Sequence, residues 1–227
     1  MTVQSLNRKE LVEKVLQDPD APIILEEIAI ELKKEQKRRE KFYNSIKTEE
    51  LKTEFINGKV IIHSPVKKLH NDISTNLIKI LDSYVIENDL GFVGYEKIMI
   101  RLTRNDYEPD LCYFNKKKSK EFKDDMSLFP APNLAVAIAS PKTKDRDRGV
   151  KFLDYERHGV DEYWIILPEE KIIEQYLLDK KNKKYKLEKK SDSGIIKVAS
   201  INKLKLSIEA IFDKELAHEE MKKVLNR

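Results

Sequence analysis

The chain has 227 residues, enough for one domain with extensions and a sizeable core. Hydrophobic residues make up 40% and charged residues 37%, a balance that points to a folded, soluble body with a heavily charged surface. The net charge of +4 permits a polyanionic partner without demanding one, and no apolar run approaches the length of a membrane span.

Cys112 is the only cysteine, so no disulfide can close within the chain and a reducing compartment fits. The opening residues carry no apolar signal-peptide region, so a cytoplasmic protein is expected. The first 20 residues are polar and predict a short helix around Lys9–Leu16. A second helix is expected to open near Pro22, since proline is tolerated in a first turn. Leu25, Ile28, Ala29 and Leu32 recur at helical spacing, and beyond Leu32 the segment turns polar all round. Such a helix is expected to dock on its own domain or on a second subunit rather than on DNA.

The domain proper is expected to begin near residue 48. Glu54 to Ile62 reads as a hairpin around Asn57-Gly58, the strongest local hairpin signal. A helix from about His70 to Glu87 buries Ile73, Leu77, Ile80 and Leu81. Phe92–Leu102 predicts a pair of strands, with a turn at Asn105-Asp106. Tyr107–Phe114 and Pro132–Thr143 read as strands that place Asp110 early in the first, and a charged helix then runs to His158-Gly159. Hairpins and weaker strands follow at 162–178, 184–189 and 195–198, and a last helix starts near Asp213. The expected layout is 1–47 as an N-terminal helical extension, 48–212 as the main domain and 213–227 as a C-terminal helix. The mixture predicts an α/β (α+β) fold, a mixed sheet flanked by helices.

Residues 142–151 hold five basic side chains, Lys142, Lys144, Arg146, Arg148 and Lys151, against two aspartates. Residues 180–190 hold seven lysines, which suit either phosphate contact or a solvated loop. Asp110 is costly in an otherwise apolar segment unless it is partnered, though a plain turn aspartate is the competing reading. Lys151 lies four residues after Asp147, where a surface ion pair is the simplest expectation. Cys112 reads as a small core residue, and Tyr155, Tyr163 and Trp164 as core aromatics.

Several segments together carry a resemblance. Tyr107-Glu-Pro-Asp-Leu111, the run from Pro132 to Thr143, Asp147 with Lys151 and Tyr155, and Gly159 to Trp164 resemble the Uma family of restriction endonucleases, within the PD-(D/E)XK nuclease superfamily. The resemblance extends from Glu54–Gly58, through His70, to Leu204–Phe212. It implies a restriction-endonuclease-like fold and magnesium-dependent (or manganese-dependent) hydrolysis of DNA, single- or double-stranded. Since a nuclease with one site per chain pairs to cut both strands, a homodimer through the N-terminal helices, or another homo-oligomer, is the expected assembly. By position, Asp110 resembles the metal-binding aspartate. Position 137 is where the family has its metal-binding glutamate, and the Ile138 carbonyl would be a third ligand. Lys151 resembles the catalytic lysine, moved from position 139 to the following helix. Glu54, His70, Glu108, Ser140 and Asp147 are possible accessory residues, and Lys142, Lys144, Arg146 and Arg148 possible nucleic-acid contacts. Asn57 and Asn133 stand where aspartate is common.

The departure is Ala137, whose methyl group cannot ligate a metal. Either glutamate was replaced by design to trap substrate, or this is a naturally inactive relative that kept the fold as a binding or assembly module. Glu108 is a third idea, a carboxylate two residues from Asp110 that substitutes for the missing one.

Overall fold

The computed structural model describes residues 8–46 and 52–226. The expected domain start near residue 48 lies outside them. Two compact units emerge, one comprising Met1–Glu50 with Asn57–Val60 and the other Leu51–Ile56 with Ile61–Arg227.

In the first unit, α1 (Arg8–Leu16) and α2 (Ala21–Ser45) follow each other, with Pro22 in the first turn of α2. The Arg38 guanidinium donates from Nε to the Gly58 carbonyl at 3.1 Å. The stripe expected to dock is not covered: Leu25, Ile28 and Leu32 are all exposed, and so are Ile23 and Ile30.

The strands form two larger sheets. The smaller has five strands in the order β2-β1-β5-β4-β7: β1 (Thr53–Ile56), β2 (Lys59–Ile62), β4 (Met99–Arg101), β5 (Asp106–Tyr107) and β7 (Leu128–Phe129). The Asn-Gly pair closes the β1–β2 hairpin as expected, with Asn57 and Gly58 at φ of 49° and 79°. The larger sheet has six strands in the order β11-β10-β9-β8-β6-β3: β3 (Gly91–Tyr95), β6 (Leu111–Asn115), β8 (Leu134–Ile138), β9 (Glu162–Leu167), β10 (Ile172–Asp179) and β11 (Lys184–Ser191). Within it β8 and β9 run parallel, with Ala137 opposite Ile165, while every other pair is antiparallel. A separate ribbon pairs β12 (Ile195–Lys197) with β13 (Lys205–Ser207).

The six-stranded sheet is buried on both faces, and alternation along β8 divides them. Leu134, Val136 and Ile138 face a core completed by Ile73, Leu77 and Ile80 of α3 (Lys68–Glu87). Helices α7 (Glu209–Phe212) and α8 (Lys214–Leu225) add Ile211, Ala217 and Val224 to it. Ala135 and Ala137 face the other way, with Tyr155 and Tyr163, towards α6 (Val150–Arg157). A short helix, α4 (Lys116–Ser119), caps the end of β6. Each fully buried aliphatic or aromatic side chain of these cores contributes about 1.5–3 kcal/mol.

Three expectations need correction. Phe92–Leu102 does not form one strand pair, because β3 joins the six-stranded sheet and β4 the five-stranded one. Asp110 is not inside a strand: Glu108, Pro109 and Asp110 form the crossing from β5 in one sheet to β6 in the other, where proline's missing N–H does no harm. The charged helix is broken into α5 (Lys144–Arg148) and α6 by Gly149, where an added Cβ would lie 2.6 Å from the Asp145 carbonyl oxygen. Among the described residues no helix is long and apolar enough to cross a membrane.

Gly91 tests the pairing of β3 with β6. At φ +143° its missing Cβ would meet the Phe114 carbonyl oxygen at 2.1 Å. Gly91→Ala is expected to lower unfolding stability by roughly 3 kcal/mol, measured as a shift in the urea midpoint. An unchanged midpoint would mean that the close approach is not needed.

Candidate functional site

A cleft of about 500 Å³ opens where the β5–β6 crossing, the end of β8 and the start of α3 meet. Asp110, Ala137 and Lys151 all line it, as do His70, Glu108, Ile138, Ser140, Lys142, Arg146 and Asp147. Lys144 and Arg148 turn elsewhere. Lys144 lies 3.7 Å from Glu170, and Arg148 grips Glu174 through Nε and Nη2 at 3.2 and 2.8 Å.

Asp110 is fixed by the crossing it sits on. Its backbone N–H donates to the Val136 carbonyl at 3.0 Å, and its Oδ2 accepts the Ile138 N–H at 2.7 Å. Oδ1 accepts from Lys52 Nζ at 2.7 Å and lies 3.2 Å from His70 Nε2. Burial pushes the carboxyl pKa up, but the Lys52 ammonium and the His70 hydrogen bond outweigh burial and hold it well below the usual range. Ile138 therefore meets Asp110 through its N–H.

Glu54, on β1, is completely buried. Lys151 Nζ lies 2.7 Å from its Oε1, while His63 Nε2 and Arg146 Nη1 lie 2.9 and 3.8 Å from its Oε2. Burial again pushes upward, but Lys151 and His63 prevail and bring the carboxyl to about 2. Lys151 is also 3.3 Å from Asp147, across the Gly149 break, and sits over the Tyr107 ring at 5.8 Å from its centroid. Burial lowers the lysine pKa, yet the two carboxylates raise it overall, so the ammonium stays charged.

The remaining residues support this frame. Thr53 N–H donates to Glu108 Oε2 and Glu108 N–H donates to Glu54 Oε1, each at 3.1 Å. Those two bonds stitch β1 to the crossing. Ser140 N–H donates to Thr143 Oγ1 at 2.9 Å, and the Ser140 carbonyl accepts the Thr143 and Lys144 N–H groups, which shapes the start of α5. Cys112 is buried in the core, and burial pushes its thiol well up, away from nucleophilic use.

Lys52 and His63 were missed by sequence reasoning. The one available signal was spacing: Lys52 lies two residues before Glu54, just ahead of β1, where an extended chain turns both to the same side. Without knowing that this face meets Asp110, the spacing was uninformative.

The residues of this cleft do not fit a resident divalent ion as they stand. Magnesium is held by oxygen ligands, usually including one or two carboxylates. Here Asp110 is already committed to two side chains and an N–H, Glu108 to Thr53, Glu54 to Lys151, and position 137 offers a methyl group. Among the described residues, no three His, Cys, Asp or Glu side chains are grouped to hold a metal ion. What the cleft does present is a set of cationic groups, with Lys52, Lys142 and Arg146 at its wall, suited to an anionic ligand.

Glu108 yields a pH signature. Burial pushes its carboxyl up to about 7, with Lys52 opposing the rise and Glu54 adding to it. The unfolded group titrates near 4.5, so the folded protein holds the extra proton between those values. Its contribution is complete below the unfolded pKa and is lost as pH rises through 7. Glu108→Gln removes that loss. Stability of the variant relative to the parent should climb between pH 5 and pH 8 by roughly 3 kcal/mol, read from urea midpoints. Parallel curves for the two proteins would exclude a raised Glu108.

Comparison with known proteins now bears on the cleft. Residues 16–209 match the Uma2 family, described as "Putative restriction endonuclease". A solved structure similar to this one is a nuclease described as "putative" and belonging to DUF820, from Anabaena variabilis ATCC 29413. It has a TM-score of 0.60 and 20% identity over 70% of this chain and 89% of that one, a likeness of fold. No curated protein matches the sequence. The match over most of the chain means that this protein belongs to the Uma2 family of restriction-endonuclease-like proteins.

Proposed function

We propose that the cleft takes the phosphodiester backbone of DNA and that the scaffold is an endonuclease's, with hydrolysis impaired in this chain by Ala137. A cytoplasmic setting, where the single cysteine stays reduced, suits such a substrate. The observation that carries the reading is the shared cleft: Asp110, the Ala137 methyl and Lys151 line one cavity, with Asp110 bonded to the residue next to Ala137. A carboxylate at 137 would stand beside Asp110, where magnesium or manganese could bridge the two and polarise a phosphoryl oxygen. Lys151, held between Glu54 and Asp147, is a fixed positive charge at the cleft floor. Lys142 and Arg146 would meet the phosphates.

A second reading is a binding or assembly module without chemistry. It is favoured by the completeness of the ion pairing around Asp110 and Glu54, which leaves no carboxylate waiting for a metal.

Ala137→Glu is expected to gain magnesium-dependent cleavage of DNA, and Asp110→Asn added to it should abolish that gain. If Ala137→Glu cuts neither single- nor double-stranded DNA while still folding, the endonuclease reading is lost. A gel shift of the unaltered chain whose affinity falls steeply with salt would then leave the binding module standing.

The exposed face of α2 supports a homodimer, which a nuclease with one site per chain uses to cut both strands. Leu25→Glu combined with Ile28→Glu, both at exposed positions, should convert the dimer to a monomer in light scattering with little change in thermal midpoint. An unchanged mass would remove α2 as the contact.

A further inference from the structure

Lys52 enters the cleft from the approach to β1. Its Nζ lies 2.7 Å from Asp110 Oδ1, and the two side chains are only 24% and 12% exposed. An ammonium and a divalent ion are alternatives at such a carboxylate. The ammonium is satisfied by one carboxylate and hydrogen bonds, whereas magnesium gives up hydration only for several oxygen ligands in octahedral array.

The carboxylates beside Asp110 also have partners already, and Lys142 and Arg146 add positive charge to the cleft wall. Asp110 has Lys52, Glu54 has Lys151, and Glu108 takes the Thr53 N–H. A dication added to that arrangement would bury two uncompensated charges beside two ammonium groups.

We propose that Lys52 is a built-in cation that occupies Asp110 in place of a divalent metal, so that the cleft of this chain excludes divalent ions. The inference rests on the reading of Asp110 as the cleft's ion-holding carboxylate. It adds that Ala137 is one half of a two-part arrangement whose other half is Lys52.

The test is manganese binding, followed by electron paramagnetic resonance and by thermal midpoint. The unaltered chain should show no response of its midpoint to Mn2+, whereas Lys52→Met should be stabilised by it. In the Ala137→Glu background, adding Lys52→Met should tighten Mn2+ binding by about tenfold or more, since one like charge leaves the site. Equal Mn2+ affinity with and without Lys52, or an equal rise in midpoint for the unaltered chain, overturns the proposal.

Should Lys52→Met not fold, 13C-methylated lysines in the Ala137→Glu protein report directly. Magnesium should move the Lys52 signal, assigned with Lys52→Arg, as the ammonium leaves Asp110. A signal that stays put while calorimetry shows magnesium bound overturns the idea equally. Because each readout is metal binding, failure of Ala137→Glu to cut DNA would leave Lys52's role intact. Equal manganese affinities would conversely leave the endonuclease reading intact.

Discussion

The buried ion pair between Glu54 and Lys151 joins the three parts of the nuclease body that form its cleft. Glu54 belongs to the five-stranded sheet, Lys151 to the helix over the six-stranded one, and Glu108, bonded to Glu54 through its N–H, to the crossing between them. Burying either charge alone would cost several kcal/mol, so each enforces the presence of the other. The pair contributes less to net stability than to geometry: it leaves one register in which β1, the crossing and α6 can meet. Asp110, two residues beyond Glu108, inherits its position from that register.

The same arrangement explains why Lys151 is a poor candidate for a mobile acid or base. An ammonium held at 2.7 and 3.3 Å by two carboxylates, one fully buried, keeps its proton. Under the proposed function its part would be electrostatic, as a fixed charge beside the cleft.

Much of the fold could be read from local pattern. The Asn-Gly hairpin, the apolar stripe of α3 and the start of the last helix depend on neighbours in sequence, and each forms where the residues predicted it. What was misread depends on distant partners. Pattern gives no hint that β3 and β4 part to different sheets, nor that a polar crossing, rather than a strand, carries Asp110. Asp110 and Lys151 were found through resemblance in motif, which records the outcome of tertiary packing. Lys52 and His63 belong to no such motif and became visible only when β1 was seen beside the crossing. The stripe on α2 is exposed within the single chain, since periodicity says which residues share a face and nothing about what covers it.

The lysine-rich segment after β10 is a turn at 180–183 followed by the strand expected at 184–189, here β11. β11 pairs with β10 on one side and forms the outer rim of the six-stranded sheet, with Lys184, Lys186 and Lys190 each set against an acidic side chain. An unpaired rim is an invitation for a stranger's backbone to zip on and start a fibre. Here any newcomer would have to strip water from a row of ammonium groups, so the lysines act as a guard rail that keeps the sheet from growing beyond its own chain.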